Sequence, residues 1–511
     1  LAFITNRSFI DSRTFDGFRK TVAEEFDEIW VVDLGGDWKK QDAAGGGNVF
    51  GIATGVAISF YVKRKRLGNA NKIAYPNKSA IKAEEKLEWL GLSSLSNVDS
   101  EAVIPDRKNH WVNLTDTNNG FDELLPVVSK EAKSAKRPVH ERAIFKLFSL
   151  GVVTNRDDWV YDYSKDRLEK KVKSFISTYN SEMERLAGNA LPQKLADKLK
   201  YEIKWTRAVK RDLERQFKYK YNENNAIEAL YRPYTKQNLY FNKHLNEMQY
   251  RLADIYAESG ERKVKTIIFS DPTSQKPFMV LASNQVYDLH LVGAASGSVG
   301  VPFSVYSRGA DFDNITDWAL EKFRKQYPKG RGKAGREVTK EDIFHYVYAV
   351  LHDPVYREKY ALNLKREFPR IPFYADFWQW AAWGRALMEL HIGYESVSPW
   401  KLKRVDAPDV ASPKAMLKAD RENGQIILDG ATRLLGIPPE AWDYKLGNRS
   451  ALEWILDQYK EKKPKDPTIR EKFNTYRFAD YKEQVIDLLA RVTRVSVETV
   501  AITGAMKDAA R

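Results

Sequence analysis

The chain has 511 residues, 43% of them hydrophobic and 30% charged, with a formal net charge of +14 and no cysteine. That composition supports several packed cores, and it excludes disulfides, thiolate metal sites and cysteine nucleophiles. No apolar run approaches a membrane span, and the opening LAFIT is too short for a signal peptide, so a cytoplasmic protein without a membrane partner is expected.

The first sixty-odd residues carry a recognisable pattern. Residues 1–5 form a short apolar run that reads as a buried strand. Phe15, Phe18, Val22 and Phe26 recur at helical spacing. Residues 28–34 (EIWVVDL) and 56–62 (VAISFYV) read as further strands, rich in β-branched and aromatic residues. Nearly all-apolar strands alternating with a helix predict a sheet buried on both faces, of the parallel kind. The chain opens inside that pattern, so further strands are expected upstream in a longer parent. Asp33 ends the second strand and reads as a structural turn cap. Residues 70–90 are a polar connection leading into an amphipathic helix with Ile81, Leu87, Trp89 and Leu90. Around 120–136 the composition turns polar, and a domain boundary is placed there: 1–120 and 121–511, the second with a possible subdivision near 337.

Beyond the boundary, residues 168–186 and 194–222 are long, charged, helical patterns. The second has Lys198, Lys200, Lys204, Arg207, Lys210, Arg211 and Arg215 along one face. This face is either a solvated surface or a ridge facing phosphates. Between 265 and 306 the period changes to strands (KTIIFS, FMVLASN, VYDLHLV, VPFSVY), which predicts a small antiparallel sheet. Residues 327–336 (YPKGRGKAGR) form a basic glycine-rich loop, in which Arg331 and Lys333 are placed to neutralise phosphate. It lacks the Ser/Thr of a nucleotide-binding loop. Thr339 with Asp342, and Ser450 with Glu453, are capping boxes. Pro354 and Pro369 break the helical pattern, and 373–394 is a core helix carrying Phe377, Trp378, Trp380, Trp383, Leu387 and Leu390. The histidines, His345 and His352 among them, show no ligand spacing, and no metal site or hydrolytic cluster is expected.

The excess of Lys and Arg favours a polyanionic partner, and DNA or RNA is the natural candidate. Four segments sharpen this: GVVTNRDDWVYD (151–162), LYRPYTKQNLYF (230–241), EDIFHYVYAVLHDPVYREKYALNLKREFPRIPF (341–373) and YKLGNRSALEWILDQY (444–459). With LAFITNRSFI and the loop Asn48-Val49-Phe50-Gly51 leading to Gly55-Val56-Ala57-Ile58, they resemble the C-terminal part of a single-polypeptide type ISP restriction–modification enzyme. In that family nuclease, helicase, gamma-class N6-adenine DNA methyltransferase and target-recognition domain are fused.

The resemblance implies an α/β fold: a partial Rossmann-like methyltransferase sheet, then a mixed, largely helical α+β target-recognition region. It implies duplex DNA as partner, together with the upstream half of the methyltransferase domain and the helicase and nuclease domains of the same polypeptide. S-adenosylmethionine is the implied methyl donor, bound mainly by that upstream half. Mg2+ and ATP are implied only for nuclease and helicase parts. The family's glycine-rich donor turn and its Asn/Asp-Pro-Pro-Tyr/Phe tetrapeptide are both missing from this sequence, and Ile437-Pro438-Pro439-Glu440 does not substitute for the latter. No catalytic residue is therefore assigned, and the chain alone is expected to be inactive as a methyltransferase.

Phe50 matches the family's aromatic before the last hairpin, which stacks on the extruded target base. The bland alternative is a loop phenylalanine packing on the sheet edge. Lys39 and Lys40, on the same loop, are placed against the DNA backbone. Arg232, Lys236 and Gln237, with Asn284 and Arg308 at strand tips, are the candidate base readers, because Arg and Lys suit guanine and Gln and Asn suit adenine. A non-catalytic DNA-binding specificity module, or an RNA-binding or RNA-modifying protein, are the alternatives.

Overall fold

The computed structural model describes the chain apart from residues 37–46, 65–71, 106–108, 113–118, 130–141, 187–198, 273, 308–309, 330–334 and 409–412. It divides into two compact units, Leu1–Gly120 and Phe121–Arg511.

The first unit is built on the strands Ala2–Asn6 (β1), Glu28–Gly35 (β2), Val56–Val62 (β3), Lys72–Tyr75 (β4) and Glu101–Ala102 (β5), with the helices Asp16–Glu25 (α1) and Ala83–Leu92 (α2). The sheet order is β1-β3-β2-β4-β5. Two expectations are corrected. The sheet is mixed: β3 runs antiparallel to both β1 and β2, and the β2–β4 pair is parallel. An apolar run reports burial and not strand direction. The buried β2 earns its EIWVVDL by lying between two neighbours. β1 is exposed along its whole length, Phe3 at 50% and Ile4 at 60%. It has one strand neighbour, so its apolar character does not translate into burial. The core of this unit gathers Phe9, Ile10 and Val22 against Ile29, Val31 and Ile73 of the sheet, with Trp111 closing on Phe9 edge-on at 6.3 Å.

Among the described residues, the second unit holds three sheets of three or more strands. In chain order their strands are Ser149–Leu150 (β6), Tyr161–Asp162 (β7), Ala226–Arg232 (β8), Thr235–Tyr240 (β9), Thr266–Ser270 (β10), Val280–Ser283 (β11), Ser298–Pro302 (β12), Lys403–Asp406 (β13), Ala415–Asp420 (β14), Gln425–Asp429 (β15) and Thr432–Leu435 (β16). They pair in the orders β7-β9-β8, β11-β10-β12-β6 and β13-β16-β15-β14, all antiparallel. Residues 286–292, expected as a strand, instead turn. The Asp288 carboxylate accepts from the His290 N–H at 2.9 Å and bends the chain, leaving isolated bridges to Val152 and Leu230.

The principal helices here are Lys165–Leu186 (α3), Arg207–Glu214 (α4), Lys340–His352 (α5), Phe377–Ile392 (α6), Ala451–Tyr459 (α7) and Lys482–Lys507 (α8). Both predicted capping boxes form: Thr339 with Asp342 opens α5, and Ser450 with Glu453 opens α7. α5 and α6 approach backbone to backbone at Gly384, where a Cβ would fall 1.8 Å from the His345 carbonyl oxygen, so any side chain there separates the helices. The expected helix over 194–222 shrinks, among the described residues, to α4. Gln216 takes a left-handed φ of 52°, and the Phe217 and Gln216 N–H groups close back on the Asp212 and Leu213 carbonyls, ending the helix in a Schellman-type cap. α8 spans both cores of the unit: Val485, Leu489, Val492 and Val495 sit in one, Met506 in the other.

Candidate nucleic-acid interface

In the first unit the loop carrying Phe50 is organised by Asn48. Its Oδ1 accepts from the Phe50 N–H at 2.8 Å, and its Nδ2 donates to the carbonyls of Thr54 (2.7 Å) and Gly36 (3.1 Å). Gly36 has φ +79°, and a Cβ there would lie 2.7 Å from the Asn48 backbone, so this contact requires glycine. The result is a presented ring: Phe50 is 52% exposed and Ile52 51%.

Beneath the loop lies a buried polar knot. Arg7 grips Asp33 through Nε at 2.8 Å and Nη2 at 2.6 Å, and reaches Asp11 at 3.2 Å. The Tyr75 hydroxyl donates to the same Asp33 carboxylate at 2.5 Å, and the Gly35 N–H adds a bond at 2.9 Å. Asp33 is fully buried. Burial works against charge on Arg7, but the bonds to Asp33 outweigh it and hold the guanidinium above its ordinary value. Burial, with the Asp33 charge behind it, pushes the Tyr75 hydroxyl up. Asp33 is thus the turn cap its position suggested. Its partner Arg7, 26 residues away, carried no local signal.

In the second unit the hairpin β8–β9 carries Arg232, Lys236 and Gln237. Arg232 is turned inward. Its Nη1 meets Asp288 at 2.9 Å and the Tyr231 carbonyl at 2.6 Å, with the guanidinium over the Tyr231 ring at 3.9 Å. Burial raises the Asp288 carboxyl to about 6, and Arg232 works against that rise. A fork committed to an internal carboxylate suits a structural role and not the edge of a base, which corrects the reading of Arg232 as a base reader. Lys236 is held between Glu228 at 3.2 Å and Glu395. Gln237 is half-buried and stands with Tyr163 between two clefts, one lined by Tyr394, Tyr459 and Arg491, the other by Arg167, Lys460 and Tyr476. Asn284 is half-buried and borders the same narrow crevice as Lys236. Lys236 therefore shares one crevice with Asn284 and another with Gln237, and Arg232 faces Asp288. Lys39, Lys40, Arg308, Arg331 and Lys333 lie outside the described residues.

A larger cleft, of about 530 Å3, was missed from the sequence. It is lined by residues of three segments: 155–159, 199–210 and 465–467. It joins the basic pattern around α4 to a second one, KEKKPK at 460–465, whose Lys462, Lys463 and Lys465 are exposed. The segments are pinned together by Trp159, whose indole N–H donates to Asp466 at 2.8 Å. The run of lysines in 460–465 was the available signal. Its convergence on 199–210 was not visible without the fold. Among the described residues no group of three or more acidic or histidine side chains could hold a metal ion, and no helix is long and apolar enough to cross a membrane.

Residues 143–488 match the model of the Type ISP C-terminal specificity domain. Three solved structures are similar over nearly the whole chain. One is a DrdV–DNA complex, 46% identical over 98% of this chain, with a TM-score of 0.84. Another is a nuclease-deletion mutant of the Type ISP restriction–modification enzyme LlaGI in complex with a DNA substrate mimic, 28% identical over 100% of the chain, at 0.78. The third is the ATP-dependent Type ISP restriction–modification enzyme LlaBIII bound to DNA, 27% identical over 99%, at 0.80. The chain spans 50%, 46% and 32% of those proteins. No curated protein matches it. With the specificity-domain model matching more than half of its length, the chain belongs to the Type ISP C-terminal specificity domain family.

Proposed function

We propose that this chain is the DNA-recognition part of a Type ISP restriction–modification enzyme, acting in the cytoplasm on duplex DNA. The observation that carries it is the similarity of nearly the entire chain to three proteins solved with DNA or a DNA mimic. The net charge of +14 and the lysines of 460–465 supply the electrostatic attraction such a partner needs.

Within that reading, the first unit is the second half of an N6-adenine methyltransferase sheet, and Phe50 receives the extruded adenine. S-adenosylmethionine, the implied methyl donor, finds no fit here, because the sequence has neither the donor turn nor the tetrapeptide. Methyl transfer belongs to the longer enzyme, and this chain contributes DNA recognition and the stacking ring. Mg2+ and ATP belong to nuclease and helicase parts.

The test is a binding titration of the pure chain against duplex DNA, single-stranded DNA and RNA over a fourfold range of salt. Duplex binding that weakens on the order of a hundredfold across that range is expected, because neutralised phosphates release counterions. An absence of duplex binding at low salt, or an equal preference for RNA, would overturn the proposal.

A further inference from the structure

We infer that the cleft formed by 155–159, 199–210 and 465–467 holds one unstacked nucleotide of a DNA strand, with its base against Tyr201 and Trp205 and its phosphate among Lys204, Lys210 and Lys465. This rests on the reading of the chain as a DNA-binding unit and adds a second contact, distinct from Phe50, whose ligand is an unpaired base.

The volume, about 530 Å3, lies within the ~300–1,000 Å3 range of clefts that enclose small ligands. The wall is both aromatic and cationic, the combination that binds single strands by stacking and charge together. Tyr201 lines the cleft and is 78% exposed. Trp205 is half-buried, and its indole N–H donates to the Lys200 carbonyl at 2.7 Å, which fixes the plane of the ring. It packs behind onto Tyr179 at 6.0 Å. A base stacking on Trp205 therefore meets a ring already oriented, so little further ordering is required on binding.

The cleft lining carries three lysines and three aspartates, and what an anion meets there is set by which of them are committed to protein partners. Among the described residues, Lys204, Lys210 and Lys465 enter no ion pair. The carboxylates on the same wall are occupied. Asp157 accepts from the Thr154 and Tyr231 hydroxyls, and Asp466 from the Trp159 indole and the Ile469 N–H. Asp158 accepts from the Asp466 N–H at 3.5 Å, and burial raises its carboxyl above the ordinary range. Arg156, at the floor, is tied to Thr206 and Glu247 and leaves its buried Nε without a partner. The cations thus face the cleft with their heads uncommitted, while the acids are turned to protein donors.

The experiment compares affinities of the full chain for an intact duplex, the same duplex with one bulged base, and that duplex with an abasic bulge, by fluorescence anisotropy. The expected result is a bulge preference of about tenfold or more over the intact duplex, lost in the abasic ligand. Tyr201→Ala should bring the ratio of bulged to intact affinity close to one, and Tyr201→Phe should keep it. Lys465→Gln should lower the bulge preference with the base still present. Equal affinity for bulged and intact duplexes in the wild-type chain overturns the cleft assignment while leaving duplex recognition standing. Failure to bind any DNA overturns both.

Discussion

Arg7 holds Asp33 with two hydrogen bonds of 2.8 and 2.6 Å, and the carboxylate it holds is fully buried. The pair ties the end of β1 to the end of β2, and Tyr75 brings in the end of β4. Removing one member of such a pair leaves an uncompensated charge, which costs about 3–5 kcal/mol, whereas replacing both with apolar groups is close to neutral. Arg7→Met should therefore destabilise the first unit by about that amount, and Arg7→Met with Asp33→Leu should recover most of the loss. Hydrogen exchange of the β2 amides in the full chain reads the local stability. A double variant no more protected than Arg7→Met would mean the knot acts through geometry and not through the buried charge.

The buried histidines set a pH dependence. Burial, aided by the Arg357 charge, lowers His391 to about 3, and burial chiefly lowers His345 to about 4. Both are near 6.5 in an unfolded chain. The unfolded state therefore binds more protons between these values, so stability rises with pH and is lost as pH falls from about 6.5 toward 4, by about 1.4 kcal/mol per pH unit for each histidine. Asp288, raised by burial to about 6, acts with the opposite sign, binding its proton more readily when folded. His391→Gln should flatten the stability–pH curve by one histidine's slope between pH 4 and 6. Denaturant midpoints at several pH values measure it, and an unchanged slope would mean His391 is charged in the fold.

Ser450 closes the capping box of α7: its hydroxyl accepts from the Glu453 N–H at 3.3 Å, and the Glu453 carboxylate accepts from the Ser450 N–H at 2.9 Å. Ser450→Ala should cost about 1 kcal/mol, and Ser450→Gly only a few tenths, because glycine leaves the cap backbone accessible to water. Chemical denaturation monitored through the tryptophans reads the difference. Equal losses for the two variants would place the role of Ser450 in core packing, since the residue is itself buried.

The parts of this molecule that were legible in the sequence are those fixed by near neighbours. Residues 56–62 form a strand over the span their β-branched composition indicated, and the two capping boxes lie within four residues each. Asp33 was readable as a turn cap because its acceptor bond spans two residues. What escaped depends on distant partners. The inward turn of Arg232 is decided by Asp288, 56 residues on, and RPY in isolation reads as an exposed turn. Strand direction in the first sheet depends on which neighbours β2 acquires, and an apolar run is silent on that. The cleft at Trp159 brings 155–159 to 465–467 through a hydrogen bond across 307 residues, which no periodicity reports.

Phe50 provides the sharpest test of the proposed role of the first unit. Asn48 fixes the loop from both sides, so the ring is held outward by backbone geometry and not by packing. Phe50→Ala should accordingly leave the fold intact, and it removes only the stacking surface. Stacking of a base on an aromatic ring contributes about 1–3 kcal/mol, so the population of extruded adenine should fall roughly tenfold to a hundredfold. Phe50→Trp should retain most of it, since the indole offers at least as large a face. Asn48→Ala should act in the same direction by loosening the loop, with Phe50 still present. In the longer enzyme, 2-aminopurine at the target position reports extrusion through its rise in fluorescence, and methylation rate reports capture. An unchanged rise and an unchanged rate in Phe50→Ala would assign the exposed ring to some other contact.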